Sequence, residues 1–211
     1  MYKVVILILS LVCGVRVGKA VEALPETTVA SSFQLYQELG LRGEVNFAFE
    51  QALKGFSRYA SGQDRLLVLI DYTKPSTEKR FYILDLLQKK LLLSTYVAHG
   101  RGSGDNYAVA FSNRPGSYQS SLGFFRTGDT YMGKNGYSLF LDGLEKGIND
   151  KARERAIVVH GANYADPAVL KGQQRLGRSL GCPALPPDIS KQVIDTIKGG
   201  VLLYIYGLNK A

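Results

Sequence analysis

The residues best suited to nucleophilic chemistry in this chain are Cys182, in the stretch GRSLGCPALP, and His160, which closes the apolar run RAIVVHG. A thiol with an ordinary pKa of about 8.5 is mostly protonated at neutral pH and needs a base beside it. The carbonyl of Gly161 can accept one ring N–H of His160 and leave the other nitrogen to take the thiol proton. Gly181 permits a tight turn whose amide N–H groups can point at a developing oxyanion. The set predicts covalent acyl-transfer chemistry.

The first 20 residues have the pattern of a secretory signal peptide. Lys3 precedes an apolar run over 4–15, and Gly18 and Ala20 occupy the small-residue positions before a cleavage site. The run is shorter than the roughly 20 residues that span a bilayer. We therefore expect cleavage after Ala20, export to a periplasm, and no transmembrane segment in the mature chain.

Export makes Cys182 unusual. The only other cysteine, Cys13, would leave with the leader, so Cys182 would have no intrachain partner. A leftover cysteine in an oxidising compartment indicates a reactive, buried or intermolecularly paired thiol. The structural alternative is that Cys182 is a small buried hydrophobe and His160 a hydrogen-bonded core residue. The glycine beside each of them favours the catalytic interpretation.

The charge pattern excludes other partner classes. The formal net charge is +8, and it becomes +5 once Lys3, Arg16 and Lys19 are removed. The basic residues are scattered, so a nucleic-acid partner is not expected. The densest run, KARER over 151–155, is typical of a solvated face. Two histidines 61 positions apart and one remaining cysteine give no ligand cluster, so neither a metal nor another cofactor is predicted.

Periodicity predicts the elements that would hold these residues. Apolar residues at helical spacing predict one helix from Ser32 to Gly40 and one over 45–56, and Pro187 and Gly199 bracket a third. Short runs of branched and aromatic residues predict strands over 65–71, 80–86, 90–98, 155–161 and 200–207. The last two runs are fully apolar, which favours central positions in a sheet. The predicted fold class is mainly β and antiparallel, with a few helices, two of them N-terminal.

The segment from Ile157 to Leu185 resembles the active-site signature of the murein L,D-transpeptidase catalytic domain family, the YkuD-like proteins. In that signature a strand-end His-Gly precedes Ser-x-Gly-Cys. The resemblance covers roughly 66–206 and is closest to the divergent branch that lacks the second motif histidine. It implies a sandwich-like or barrel-like catalytic fold in which Cys182 is the nucleophile, His160 the base and Gly161 the carbonyl that orients the imidazole.

The resemblance also implies the reaction and the domain division. The family attacks the third residue of a peptidoglycan tetrapeptide stem, expels D-alanine and forms a thioester. Transfer to another stem gives a 3-3 cross-link, and transfer to water gives L,D-carboxypeptidase trimming. The expected division is a signal peptide over 1–20, a flexible lead-in over 21–31, an N-terminal helical segment over 32–60 and the catalytic domain over 61–211.

Two positions depart from the family signature. Leu180 stands where the family has its second histidine, and Ala184 where it has Arg or Asn. Binding of the substrate carboxylate is therefore predicted for Arg178 and Arg175, since a guanidinium can bind a carboxylate through two hydrogen bonds. Two ordinary surface arginines are the alternative.

The remaining candidates are Ser179, Tyr131 and His99. Ser179 joins Gly181 on the oxyanion and substrate side of the predicted site. Tyr131, in TGDTYMGKNGY, lies where the family carries a flap, and an aromatic ring there can pack on the stem; an ordinary hairpin tyrosine is the alternative. For His99 a satisfied structural role is favoured over a place in the cleft.

Three other functions could also use these residues. A papain-like peptidase places its cysteine before its histidine, and a sortase-like enzyme has a Thr-Leu-x-Thr pattern before the cysteine, which RSLG does not match. A non-catalytic peptidoglycan-binding or scaffolding module stays open, with Leu180 and Ala184 as marks of lost activity. The sequence determines neither the acceptor nor the oligomeric state.

Overall fold

The computed structural model describes residues 29–41, 47–62 and 64–209, so the predicted signal peptide lies outside the described residues. The three α-helices of these ranges are α1 (Val29–Glu38), α2 (Phe47–Tyr59) and α3 (Pro187–Ile197). Their eight strands are β1 (Leu66–Asp71), β2 (Phe81–Asp85), β3 (Lys90–Thr95), β4 (Gly123–Gly133), β5 (Gly136–Gly143), β6 (Val158–Gly161), β7 (Ala184–Leu185) and β8 (Leu202–Tyr206). None of the described helices is long and apolar enough to cross a membrane.

All eight strands belong to one sheet with the order β3-β2-β1-β8-β4-β5-β6-β7. Neighbouring strands are antiparallel except for two parallel pairs, β1 with β8 and β6 with β7. A bridge between Ala98, just beyond β3, and Ala184 in β7 joins the two edges, so the sheet nearly closes on itself. The predicted fold class, mainly β and barrel-like with a few helices, is confirmed.

Strand β1 is apolar because both of its faces are buried. Val68 and Ile70 contribute to the core beneath α3, whereas Leu67 and Leu69 contribute to the core beneath α2. Successive side chains of a strand point to opposite faces, so this alternation places one core on each side of the sheet. Each such buried side chain stabilises the fold by about 1.5–3 kcal/mol.

Most predicted elements are confirmed, with strand β6 shorter than its predicted range and strand β4 without a prediction. Helix α3 begins at Pro187 and ends at Ile197, and Gly199 follows it with a φ of +79°. Strand β6 begins only at Val158, three residues later than predicted, and it has a neighbour on each side, β5 and the two-residue β7. Helix α3 packs on β6, so its apolar residues are covered by the helix as well. Strand β4 was not predicted, because FFRTGDTYM is interrupted by polar residues and a bulge.

Candidate active site

Strands β6 and β7 bring together the two backbone segments that carry the candidate catalytic residues. His160 pairs with Ala184 and Gly161 pairs with Leu185 in parallel register. Cys182 lies two residues before Ala184, at the entrance to β7. Cys182 and His160 are therefore held by adjacent backbones although they are 22 positions apart in the sequence.

The protonation state of His160 follows from its surroundings. Its Nδ1 lies 2.9 Å from the carbonyl oxygen of Gly161. A carbonyl only accepts hydrogen bonds, so Nδ1 carries the hydrogen and Nε2 is the basic nitrogen. The ring is buried, and burial lowers the pKa of His160. The neutral imidazole that a general base requires is thus the favoured form at neutral pH.

The thiol of Cys182 lies in a partly exposed position with competing influences. Burial of the sulfur raises the pKa of Cys182, while the N–H of Val158 and the guanidinium of Arg155 act in the opposite direction, and the net shift is upward. Sγ donates a hydrogen bond to the carbonyl oxygen of Ala156 at 3.5 Å. Among the residues that the structure describes, no hydrogen bond joins Sγ to His160.

A network of serine hydroxyls fixes the turn before the nucleophile. Gly181 has a φ of +130°, a conformation that favours glycine. Its N–H donates to Ser179 Oγ at 3.1 Å, and Ser179 Oγ donates to the carbonyl of Cys182 at 2.6 Å. Ser120 Oγ donates to the carbonyl of Gly181 at 3.0 Å. In this conformation Ser179 is buried and ties the turn together, and the Gly181 N–H is already hydrogen-bonded within it.

Arg178 and Arg175, the arginines predicted to bind the substrate carboxylate, both contact the carboxylate of Asp105. Arg178 Nη1 lies 2.8 Å from Asp105 Oδ1 and also donates to the carbonyl of Gly104 at 3.0 Å. Arg175 Nε lies 3.5 Å from the same oxygen of Asp105. The Asp105 side chain is largely exposed, whereas about a third of each arginine side chain is accessible. The two guanidinium groups therefore form a carboxylate-binding pair at the surface.

Tyr131 lies on the same row of the sheet as His160. Tyr131 pairs with Ser138 across β4 and β5, and Ser138 pairs with His160 across β5 and β6. Directly paired residues point to the same face, so the tyrosine and the histidine share a face two strands apart. The Tyr131 ring stacks on Phe140 with 4.4 Å between ring centroids.

His99 has the structural role that was favoured for it. It is fully buried, its Nδ1 lies 2.8 Å from Arg80 Nη2, and its Nε2 lies 3.3 Å from the carbonyl of Gly104. A guanidinium only donates, so Nδ1 accepts and Nε2 carries the hydrogen. Burial and the charge of Arg80 lower the pKa of His99 to about 3. The His99 carbonyl also accepts the N–H of Ser179 at 2.9 Å, which links this core to the nucleophile turn.

Three residues near the thiol were missed from the sequence: Arg155, Tyr72 and Tyr164. The charge of a Cys182 thiolate raises the pKa of both tyrosines, after the larger effect of burial. Arg155 closes the KARER run, which was interpreted as a solvated face. That interpretation is wrong for Arg155, which is partly buried and makes four hydrogen bonds. In the sequence, the position of Arg155 at the start of RAIVVHG, five residues before His160, is the feature that could have indicated its place near the site.

The side chains gathered here are of the types that covalent acyl transfer uses. No group of three or more potential metal-ligating side chains occurs in the described ranges. A thiol, a neutral imidazole of defined tautomer, a glycine turn and a pair of guanidinium groups lie on or beside the β6–β7 edge. Such a set can form and break an acyl–sulfur bond.

Comparisons with known proteins identify the family of the chain. Residues 43–206 match the L,D-transpeptidase catalytic domain, and no curated protein matches. Similar solved structures include the helical cell shape determining protein Pgp2 from Campylobacter jejuni (18% identity, TM-score 0.45, 70% of this chain and 50% of that one). They also include L,D-transpeptidases from Mycobacterium smegmatis (13%, 0.41, 68% and 59%) and Stackebrandtia nassauensis (13%, 0.41, 85% and 78%).

This chain spans only 59% of the Mycobacterium smegmatis structure and 50% of Pgp2. The matched range contains all eight predicted site residues, together with helices α2 and α3. With 164 of its 211 residues covered by the match, the chain belongs to the L,D-transpeptidase catalytic domain family.

Proposed function

We propose that this protein is an exported, thiol-dependent L,D-transpeptidase that acts on peptidoglycan tetrapeptide stems. The observation that supports this most strongly is the parallel register of β6 and β7, which places Cys182 beside the strand of His160. The hydrogen bond from His160 Nδ1 to the Gly161 carbonyl adds to it, because it leaves Nε2 free to act as a base. Residues 1–20 would direct export to the periplasm, where peptidoglycan lies.

In the first step the Cys182 thiol leaves the Ala156 carbonyl and gives its proton to His160 Nε2. Sγ attacks the carbonyl carbon of the third stem residue, and a carbon–sulfur bond forms. The tetrahedral intermediate collapses, the bond to the terminal D-alanine breaks, and His160 returns the proton to the departing amine. The product is a thioester on Cys182 and free D-alanine.

In the second step an acceptor cleaves the thioester. The side-chain amine of another stem gives a 3-3 cross-link, and water gives a trimmed tripeptide stem. In both cases His160 removes a proton from the acceptor, and the thiol is regenerated.

The remaining predicted residues would bind the donor stem. Arg178 and Arg175 would exchange Asp105 for the terminal carboxylate of D-alanine, and Tyr131 would pack against the stem from β4. The Gly181 N–H would exchange Ser179 Oγ for the oxyanion, a change that a small movement of the turn permits.

A non-catalytic peptidoglycan-binding module is the second candidate. It is favoured by the resting state of the thiol, whose pKa is raised and whose hydrogen bond goes to Ala156 instead of His160. Apo enzymes often show long or misaligned catalytic hydrogen bonds that tighten only with substrate bound. The resting geometry therefore calls for a test that includes the substrate.

The test is mass spectrometry of tetrapeptide muropeptides after incubation with wild-type protein, with the Cys182→Ala variant, and with Leu87→Ala. Leu87 is an exposed residue of the β2–β3 turn and serves as the matched control. We expect loss of D-alanine with the wild type and with Leu87→Ala, and none with Cys182→Ala. The mass of the product, a dimer or a trimmed monomer, identifies the acceptor.

Two other results would contradict the proposal. Undiminished D-alanine release by Cys182→Ala would exclude this thiol as the nucleophile. Unchanged muropeptides together with co-sedimentation of the protein with purified sacculi would identify the binding module instead.

A further inference from the structure

The Arg155 guanidinium lies against the turn that carries Cys182. A Cβ atom placed on Gly181 would lie 3.6 Å from Arg155 Nη2, so the guanidinium lies against the backbone of the residue before Cys182. The next residue in the chain, Ala156, has a φ of +53° and supplies the carbonyl that accepts the thiol hydrogen bond. The turn at 155–156 therefore brings both a cation and a carbonyl to the sulfur.

Four neutral groups hold the Arg155 guanidinium in place. Nη1 donates to the carbonyl of Ser112 at 2.5 Å and to Ser121 Oγ. Nη2 donates to the carbonyl of Gln119 at 2.6 Å and to Ser117 Oγ at 3.2 Å. All four acceptors belong to the 112–121 loop, which therefore fixes the guanidinium plane.

The charge of Arg155 is not cancelled by any of these contacts. No carboxylate is among its partners in the described part of the chain. Arg153, two residues earlier, differs in this respect, because it is exposed and binds Asp142 through two hydrogen bonds of 2.7 and 2.8 Å. A guanidinium keeps its proton in proteins, so a partly buried one with only neutral partners leaves a net positive charge in its neighbourhood.

We infer that Arg155 is a positioning residue whose guanidinium, held by the 112–121 loop, places a positive charge beside Cys182 and stabilises the thiolate from which the proposed reaction starts. The thiol proton goes to His160 Nε2, the electron pair stays on Sγ, and Arg155 keeps its own proton throughout. This inference rests on the proposed role of Cys182 as the nucleophile.

The electrostatics of the thiol agree with this role. Burial raises the pKa of Cys182, and Arg155 is the cation that opposes this effect. The other titratable groups near the thiol are Tyr72 and Tyr164, which are neutral at physiological pH, and the neutral imidazole of His160 on the adjacent strand. Leu180 and Ala184 carry no charge and therefore cannot stabilise a thiolate. Arg155 supplies the positive charge that these two positions lack.

The test is the pH dependence of Cys182 alkylation by iodoacetamide, which needs no substrate. Trypsin releases Cys182 in the peptide 179–191, so mass spectrometry separates it from Cys13. The variants are Arg155→Gln, which removes the charge, Arg155→Lys, which keeps it, and Arg153→Gln as the matched control. An opposite charge within a few ångströms lowers a pKa by about 1–3 units, so we expect Arg155→Gln to raise the alkylation midpoint by about one pH unit or more.

We expect the alkylation midpoint of Arg155→Lys to stay close to the wild-type value, because the charge is kept. The midpoint of Arg153→Gln should equal the wild-type value. If Arg155→Gln does not fold, Ser117→Asp replaces it. This change places a carboxylate against the guanidinium and should raise the midpoint, whereas Ser117→Asn should not.

An unchanged midpoint in Arg155→Gln, or in Ser117→Asp where that variant is used, would overturn the inference. Equal shifts in Arg155→Gln and Arg155→Lys would also overturn it, because they would show that packing and not charge is responsible. These outcomes are separate from the muropeptide test. A wild type that releases D-alanine through Cys182 while Arg155→Gln keeps its midpoint would reject Arg155 alone.

Discussion

Acid should destabilise this protein through the buried His99. Its ring is enclosed, T-shaped against Tyr72 and hydrogen-bonded through Nδ1 to Arg80, which is itself fully buried. A proton added to Nδ1 would break that hydrogen bond and place two positive charges in contact. Burial of the ring, followed by the charge of Arg80, lowers the pKa of His99 from its ordinary 6.5 to about 3.

The sign of the effect follows from proton uptake. Between pH 6.5 and pH 3 the unfolded chain protonates this histidine and the folded chain does not, so the free energy of unfolding decreases as the pH falls through that range. Above pH 6.5 the neutral His99 makes its full contribution to the free energy of unfolding. Each pH unit below that value removes about 1.4 kcal/mol, so protonation of His99 removes roughly 3 kcal/mol of stability between pH 7 and pH 4.

The variant His99→Asn isolates this contribution. The asparagine Oδ1 can accept from Arg80 as Nδ1 does, but the side chain does not titrate. Urea unfolding at pH 7, 6, 5 and 4, followed by circular dichroism because the chain contains no tryptophan, gives the free energy of unfolding. The variant will be less stable at pH 7 because it loses the packing of the ring. Its stability should nevertheless fall less steeply with acid, and pH profiles of equal slope for the two proteins would refute the reasoning.

Three further predictions concern packing, the nucleophile turn and the base. Phe125→Ala, in the fully buried core beneath α3, should lower the free energy of unfolding by about 3–5 kcal/mol in urea titration, whereas Met132→Ala, 77% exposed, should stay within about 0.5 kcal/mol. Gly181→Ala should cost about 1–3 kcal/mol and reduce D-alanine release, because φ is +130° and the new Cβ would lie 2.9 Å from the Gln119 carbonyl. Gly172→Ala has open space and should change neither stability nor release. His160→Gln should reduce the rate of D-alanine release by about 10²–10⁴-fold with the fold retained, and a near-normal rate would exclude His160 as the base.

The sequence predicted the elements whose residues have a local pattern. Helix α3 shows its start at Pro187 and its end before Gly199, because helix termini depend on residues next to them in the chain. The apolar run over 202–206 likewise predicts a strand buried on both faces, since β8 lies between β1 and β4. The signature residues His160 and Cys182 could be paired because each stands beside a glycine at the end of an element.

Features that depend on distant contacts could not be predicted. Arg155 belongs to a charged run, and only the 112–121 loop, 34 to 43 residues earlier in the chain, makes it a partner of the thiol. The same holds for Tyr131, which shares a row with His160 only through the register of β4, β5 and β6.

The central claim is that Cys182 forms the acyl-enzyme, and intact-protein mass spectrometry followed by tryptic mapping tests it most directly. Wild-type protein is mixed with a tetrapeptide stem and quenched in acid, which preserves a thioester. The account predicts an added mass equal to the tetrapeptide substrate less D-alanine, located on peptide 179–191 and absent from Cys182→Ala. D-alanine release without any adduct on this peptide, or with the adduct on another residue, would contradict it.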